Sequence, residues 1–384
     1  MKRIGEKLEQ RKDQGRLRGL RTMDCSAHPW VTLAGRGLVN FSSNDYLGLA
    51  GHPLLQERGA QFAALWGAGS RASRLVCGNH PGYEAVEAKL ARLKGTQAAL
   101  VFNSGYQANI SVVTALAGRG DMVLMDRLIH NSLIQGGLLC EAKVRRFRHN
   151  DLEHLSQLLE TSSCEPGGQV FVVAETVYSM DGDRPDLAGL VELTKCHGAF
   201  LILDEAHATG VLGPQGMGLS VGLGADLVIG TFGKGLGSFG AYLAGSQELM
   251  DYMVNFCGGL IYTTALPPWA LGAIDAALDL VPGMQAEREH LAEMAQSLRR
   301  GLKGLGFDCL ASDSQIVPLV VGQETDCLDL ANYLEEQGYL AMAIRPPTVE
   351  EGKARIRLAL SAAHEAAQVQ GILKALKDWR ALGH

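Results

Sequence analysis

Residues 231–240, TFGKGLGSFG, set one lysine among four glycines. A lysine amine is a nucleophile only when neutral, a state favoured by burial and nearby positive charge. Glycines on either side of Lys234 would let a planar ring approach the backbone. A flexible surface turn is the plain alternative. Gly235-Leu-Gly237-Ser-Phe-Gly240 also spells the G-x-G-x-x-G of dinucleotide-binding loops. That loop must follow a strand, open a helix and be answered by an acidic residue about 20 positions on. A strand-like run, DLVIG, precedes it. The next segment, AYLAGS, reads as another strand, and a helical pattern begins only near Gln247. A phosphate loop is excluded, because neither Lys234 nor Lys353 is followed by Ser or Thr. The helicase-like spelling Asp204-Glu-Ala-His207 therefore has no nucleotide site to serve.

Asp204 closes the apolar run FLILD. A carboxylate at a strand end can pair with the pyridine nitrogen of an aldehyde cofactor and keep the ring an electron sink. His207, three residues later, can hydrogen-bond the phenolic oxygen of the same ring. Taken singly, Asp204 reads as a helix cap or metal ligand, and His207 as a satisfied core histidine. Asn103-Ser-Gly105-Tyr106 leads from a strand into a helix, whose free N–H groups bind phosphate well. Ser104 as an ordinary cap is the alternative there. The Thr231 hydroxyl can reach the same phosphate. His130, in Asp126-Arg-Leu-Ile-His130-Asn-Ser132 after a strand, can cover a flat ring or lie idle on the surface.

These groups need a scaffold that gathers strand ends. Short apolar runs at 98–102, 122–125, 169–175, 200–205 and 226–230 alternate with helical patterns. Continuous apolar strands separated by helices predict a parallel sheet covered on both faces. Ligands of such an α/β domain sit at the C-terminal strand ends. After residue 282 a long charged helix is followed by strands IVPLVVG, YLAMAIRP and RIRLAL and a final helix. The expected division is an N-terminal helix with short strands (1–40), a large domain (41–282) and a smaller α/β domain (283–384). The first helix reads as amphipathic, with Ile4, Leu8 and Leu17 inward.

The 384 residues carry a net charge of −6, against the basic face that nucleic-acid binding needs. No run of 18 apolar residues predicts a membrane span, and the N-terminus has no apolar core of a secretory signal. Eight scattered cysteines without a C-x-x-C pair predict idle thiols in a cytoplasmic protein, with no zinc site.

Together these residues resemble the α-oxoamine synthases, fold-type I enzymes dependent on pyridoxal 5′-phosphate (PLP). The resemblance spans nearly the whole chain: Asn40-Phe-Ser-Ser-Asn44-Asp-Tyr46-Leu-Gly-Leu49, Gly105-Tyr106, His130-Asn-Ser132, Ser179-Met-Asp-Gly-Asp183, Asp204-Glu-Ala-His207, Thr231-Phe-Gly-Lys234-Gly and Arg355-Ile-Arg357. It implies a large domain built on a mostly parallel seven-stranded sheet and a smaller C-terminal domain. It implies that Lys234 holds PLP as a Schiff base and later moves the α-proton. Asp204 would pair with the pyridine nitrogen, His207 and Ser179 would bond the phenolic oxygen, and His130 would stack on the ring and meet substrate. Gly105, Tyr106 and Thr231 would hold the phosphate. Thr263 matches a position that reaches the neighbouring subunit's phosphate, which implies a homodimer with shared sites. Arg357, with Asn44, would bind the amino-acid carboxylate; Arg18 and Thr348 match further substrate contacts. Ala343-Ile-Arg345-Pro-Pro-Thr348-Val is similar to the member that joins L-alanine to a pimeloyl thioester in biotin synthesis. The acyl group would arrive on coenzyme A or an acyl carrier protein. Relatives using glycine or serine are the nearest alternative, followed by an aminotransferase of the same fold. The chain departs from the family pattern at Arg71, Ala72 and Tyr83, which would reshape the entrance but leave the PLP contacts intact.

Overall fold

The computed structural model describes residues 2–25, 28–162 and 164–383. They form two compact units.

The larger unit, Asp45–Ser179 with Arg184–Arg288, is organised by a seven-stranded sheet. Its strands lie in the order Ala98–Phe102, Ala241–Gly245, Leu227–Thr231, Phe200–Asp204, Val170–Glu175, Met122–Asp126 and Lys143–Phe147. Ala241–Gly245 runs antiparallel to both neighbours, and the other six are mutually parallel. Alternate residues of the central strands feed two separate cores. Val123, Met125, Val173 and Ile202 join Ala108, Val112 and Val113 of the helix Gly105–Leu116 on one face. Leu124, Val172, Leu201 and Leu203 join Leu155, Leu158 and Leu190 of two helices on the other. With both faces covered, a strand has no polar side to show, which explains the continuous apolar runs. AYLAGS is the predicted strand, and the helix Gln247–Phe256 comes after it.

The second unit joins the first 44 residues to Met180–Asp183 and to the chain from Glu289 onward. The expected boundaries at 40/41 and 282/283 thus fall at 44/45 and 288/289, and the N-terminal segment is no separate domain. The reason is strand pairing: Arg36–Asn40 pairs with Trp30–Leu33 on one side and, in parallel, with Tyr339–Leu340 on the other. YLAMAIRP is two short strands, not one. Tyr339–Leu340 serves that sheet, whereas Ala343–Ile344 pairs with Ala354–Ala359 in a second sheet. Met180–Asp183 is held by Arg355, which donates to Asp181 Oδ1 at 2.7 Å, and by Ser314 Oγ, which donates to the Gly182 carbonyl at 2.7 Å. Gly182 has φ +69°, and a Cβ there would strike the Ile316 carbonyl.

One expectation fails in this unit. Ile4 and Leu8 of the helix Lys2–Asp13, and Leu17 beyond it, are exposed. The segment is anchored by charge instead: the Arg16 guanidinium donates to the Glu324 carboxylate at 2.7 and 3.0 Å. Among the described residues, no helix is long and apolar enough to cross a membrane.

One buried histidine in this unit has the surroundings of an acid-sensitive group. His364 is 1 % exposed and stacks on Phe41 with ring centroids 4.4 Å apart. Its Nδ1 accepts from the Ser361 amide at 2.9 Å, and its buried Nε2 has no partner. Burial, then the neighbouring His28 and His290, push its pKa down to about 4 from 6.5. Between these values the unfolded chain binds a proton that the folded chain refuses. Stability should therefore be complete above pH 6.5 and fall by about 1.4 kcal/mol per pH unit down to about pH 4. His364→Asn should flatten that slope in urea titrations across this window; an unchanged slope would assign it to other groups.

Candidate active site

A cavity of about 180 Å³ opens at the C-terminal ends of the parallel strands. Lys234, Asp204, His207, His130, Thr231, Gly105 and Tyr106 all line it, so one site collects residues up to 129 positions apart, from Gly105 to Lys234.

Asp204 ends its strand 5 % exposed. Its Oδ2 accepts from Asn109 Nδ2 at 2.8 Å, and its Oδ1 accepts from the Ala206 amide at 2.8 Å. Asn109 lies one turn into the helix that starts at Gly105, and its Nδ2 also donates to Ser132 Oγ at 2.9 Å. Its Oδ1 is buried without a partner, which makes the cavity floor a polar surface with capacity to spare. His207 comes in the turn after Asp204. Its Nε2 lies 2.7 Å from Lys234 Nζ, and its Nδ1 lies 2.6 Å from the Tyr46 hydroxyl.

His130 caps the helix Asn131–Leu139, with Nδ1 2.7 Å from Ser132 Oγ. Desolvation in the cavity mouth lowers its pKa; Asp204 opposes that shift and Lys234 reinforces it. Its backbone amide donates to Glu175 Oε1 at 2.6 Å. Glu175 is the residue paired with Asp204 across adjacent strands. Burial, then the Asp204 carboxylate, raise its pKa well above the ordinary carboxylate range. Two buried carboxyls side by side do not both ionise.

The helix start at Gly105, which the sequence offers as a phosphate site, has this backbone arrangement. Ser104 Oγ caps the helix by accepting from the Gln107 amide at 3.2 Å. The first-turn amides of Gly105 and Tyr106 have no partner within the helix. A Cβ on Gly105 would reach within 3.9 Å of the Thr231 side chain, into the gap these groups bound. Thr231 itself donates its hydroxyl to the Gly240 carbonyl at 2.8 Å.

Ser179 and Thr263 do not line the cavity. Ser179 is buried beyond the strand Val170–Glu175, and Thr263 Oγ1 accepts from Asn103 Nδ2 at 3.3 Å. Arg18, Asn44, Thr348 and Arg357 belong to the other unit. There they form two pairs: Arg357 donates to Asn44 Oδ1 at 3.2 Å, and Arg18 donates to Thr348 Oγ1 at 3.2 Å.

Two expectations from sequence need correction. The glycines around Lys234 admit backbone rather than a ring: a Cβ on Gly235 would come within 2.6 Å of the Thr209 carbonyl, and one on Gly237 within 2.5 Å of the Ala50 amide. Tyr83 is no entrance residue. It is fully buried and donates to the Leu266 carbonyl at 3.0 Å, with its ring 4.2 Å from the Arg74 guanidinium. Sequence reasoning misses Tyr46, Asn109 and Glu175. Glu175 carries the same signal as Asp204, an acid closing an apolar strand, and Asn109 stands four residues after Gly105.

The donor set fits PLP: an amine, a buried carboxylate among strand ends, and helix amides spaced for a phosphate. Comparison with known proteins agrees. The chain belongs to the aminotransferase class I and II family, matched over residues 36–376, and within it to the PLP-dependent α-oxoamine synthases, which are acyltransferases. It is 53 % identical to the 8-amino-7-oxononanoate synthase of Gluconacetobacter diazotrophicus, over 90 % of this chain and 88 % of that one. It is 46 % identical to the enzyme of the same name from Anaeromyxobacter sp. strain K, over 97 % of this chain and 94 % of the relative. The structure of serine palmitoyltransferase from S. paucimobilis with a bound PLP–myriocin aldimine superposes with a TM-score of 0.91 at 28 % identity, covering 99 % of this chain and 97 % of that one.

Beneath the cavity lies a buried ion pair. Lys94 and Glu205 are in contact, both side chains fully buried, and Glu205 also accepts from the Ser220 amide at 2.7 Å and the Ser220 hydroxyl at 2.8 Å. Glu205 sits between Asp204 and His207, so the pair moors the turn that carries both. Lys94→Met should destabilise the protein by about 3–5 kcal/mol, because it strands a buried charge. Adding Glu205→Gln should recover much of that loss. Denaturation midpoints of the single and double variants check this, and equal midpoints would deny the coupling.

Proposed function

We propose that the protein condenses L-alanine with a pimeloyl thioester, releasing carbon dioxide and free thiol and yielding 8-amino-7-oxononanoate for biotin synthesis. The observation that carries the reading is the convergence of Lys234, His207 and Asp204 on one cavity, with Lys234 Nζ 2.7 Å from His207 Nε2. The names of the relatives and the segment Ala343–Val349 favour alanine and pimeloyl substrates.

Bound PLP supplies a ring that accepts negative charge from the substrate α-carbon. The chain's own residues do the rest. Lys234 is the amine that carries the cofactor and then takes the α-proton at Nζ. Asp204 faces the ring nitrogen as a carboxylate, since an anion there favours the protonated ring. His207 would serve the phenolic oxygen, Ser179 would join it only by moving toward the cavity that it does not line here, and His130 would cover a ring face. The Gly105 and Tyr106 amides hold the phosphate, joined by the Thr231 hydroxyl once it turns from the Gly240 carbonyl. Arg357 and Asn44 take the amino-acid carboxylate, and Arg18 and Thr348 take the acyl substrate. Thr263 reaches the phosphate of a second copy, so the working form is a homodimer with shared sites. Holding both substrates in one orientation accounts for much of the acceleration.

A second reading, serine or glycine with another acyl thioester, is favoured by the serine palmitoyltransferase likeness. Parallel assays of alanine, serine and glycine with pimeloyl-, palmitoyl- and acetyl-thioesters separate the two; preference for serine and palmitoyl donors would displace the alanine reading. Coenzyme A and carrier-protein forms of the pimeloyl donor belong in the same set.

Lys234→Ala should lose the near-visible absorbance of lysine-bound cofactor and roughly 10²–10⁴-fold or more in turnover. Normal activity in that variant would reassign the amine. Asp204→Asn should retain cofactor weakly and lose roughly 10²–10³-fold in kcat. Near-native rates would mean that another group faces the ring nitrogen.

A further inference from the structure

Of the motif Asn44-Asp-Tyr46-Leu-Gly-Leu49, only Asn44 has a part in the chemistry proposed above. The structure gives its tyrosine a specific neighbour. Asp45 closes the turn, with Oδ1 accepting from the Leu49 amide at 2.9 Å and Oδ2 accepting from the Ala50 amide at 3.1 Å. Gly237 of the lysine stretch has φ +60° and seats directly on Leu49 and Ala50, where any side chain would collide. Tyr46 is fully buried between these supports. Its hydroxyl lies 2.6 Å from His207 Nδ1, and the rings are tilted at 50° with centroids 6.0 Å apart. His207 is 4 % exposed, and its other ring nitrogen faces Lys234. Three segments distant in sequence thus form one line: Tyr46 hydroxyl, His207 imidazole, Lys234 amine.

A buried hydroxyl needs a hydrogen-bond partner, and most tyrosines find one on backbone or water. Tyr83 does so on the Leu266 carbonyl. Tyr46 sets its hydroxyl against a ring nitrogen. In a neutral imidazole one nitrogen carries the proton and the other accepts, and whichever bond one nitrogen makes fixes the other.

We propose that Tyr46 is a positioning residue that donates its O–H to His207 Nδ1, places the ring proton on Nε2, and so aims an N–H donor at the Lys234 amine and the cavity. An Nε2–H donor suits a neutral amine, which can accept, and an electron-rich oxygen in the same place. The opposite tautomer would present a lone pair there and serve neither. This inference rests on the PLP reading of the site, and its test is arranged so that the two fail separately.

The first measurement uses the native protein without cofactor, labelled with ¹⁵N-histidine, with the His207 signals assigned by their loss in His207→Asn. Nδ1 should be unprotonated and Nε2 protonated. A proton on Nδ1 overturns the proposal without any variant having to fold. The second uses Tyr46→Phe, which keeps the ring volume. Loaded with PLP, it should bind cofactor in full and shift the pH at which the cofactor absorbance changes. It should also lose roughly tenfold to a hundredfold in kcat, by analogy with the loss seen when the hydrogen-bond partner of a metal-bound histidine is removed, with KM for the amino acid held within about threefold. A kcat within twofold of native overturns the proposal. So does a fall in rate with an unchanged absorbance titration, which would reduce Tyr46 to packing. Native protein that shows no cofactor absorbance would overturn the PLP reading and leave the tautomer result standing.

Discussion

A carboxylate buried at the end of a parallel strand is the constraint from which the site follows. An ion there is costly unless donors surround it. Asp204 has two, the Asn109 amide and the Ala206 backbone. The first of these fixes the register of the helix beginning at Gly105 against the sheet, and so fixes where its N-terminal amides point. The second fixes the turn that brings His207 back over the strand end. The helix start at Gly105 and the turn carrying His207 are thus both tied to the solvation needs of one side chain.

Glu175 shows the other side of that constraint. It stands beside Asp204 in the sheet, equally buried, yet it is given one backbone donor, from His130. That single donor does not offset burial and the Asp204 carboxylate, which raise the Glu175 pKa well above the ordinary range. The same logic explains why the neighbouring acid, Glu205, is met by a lysine and two Ser220 groups. Three distinct roles are handed to similar side chains by their immediate surroundings.

How much of this is legible in the sequence depends on how local the signal is. The sheet, its order of elements and the C-terminal strand ends can be read because two-faced burial writes continuous apolar runs into the chain. Lys234, Asp204 and His207 can be read because each stands at a strand end or among glycines. Tyr46 cannot: a buried tyrosine in a short motif looks the same whether its hydroxyl meets a carbonyl or an imidazole, and its partner lies 161 positions away. The glycines of the lysine stretch are visible, but what they make room for is not, because the Thr209 carbonyl and the Ala50 amide arrive from other segments. The break in YLAMAIRP is hidden for a related reason, since its halves serve different sheets.

The short insert Met180–Asp183 has a consequence for how the chain is made. Its hydrogen-bond partners, Ser314 and Arg355, leave the ribosome long after it does. The smaller unit therefore waits, with its N-terminal strands and this loop already synthesised, until the C-terminal strands emerge to receive both. Cutting the gene at residue 288 would release neither half intact, because the polypeptide passes from one unit to the other four times.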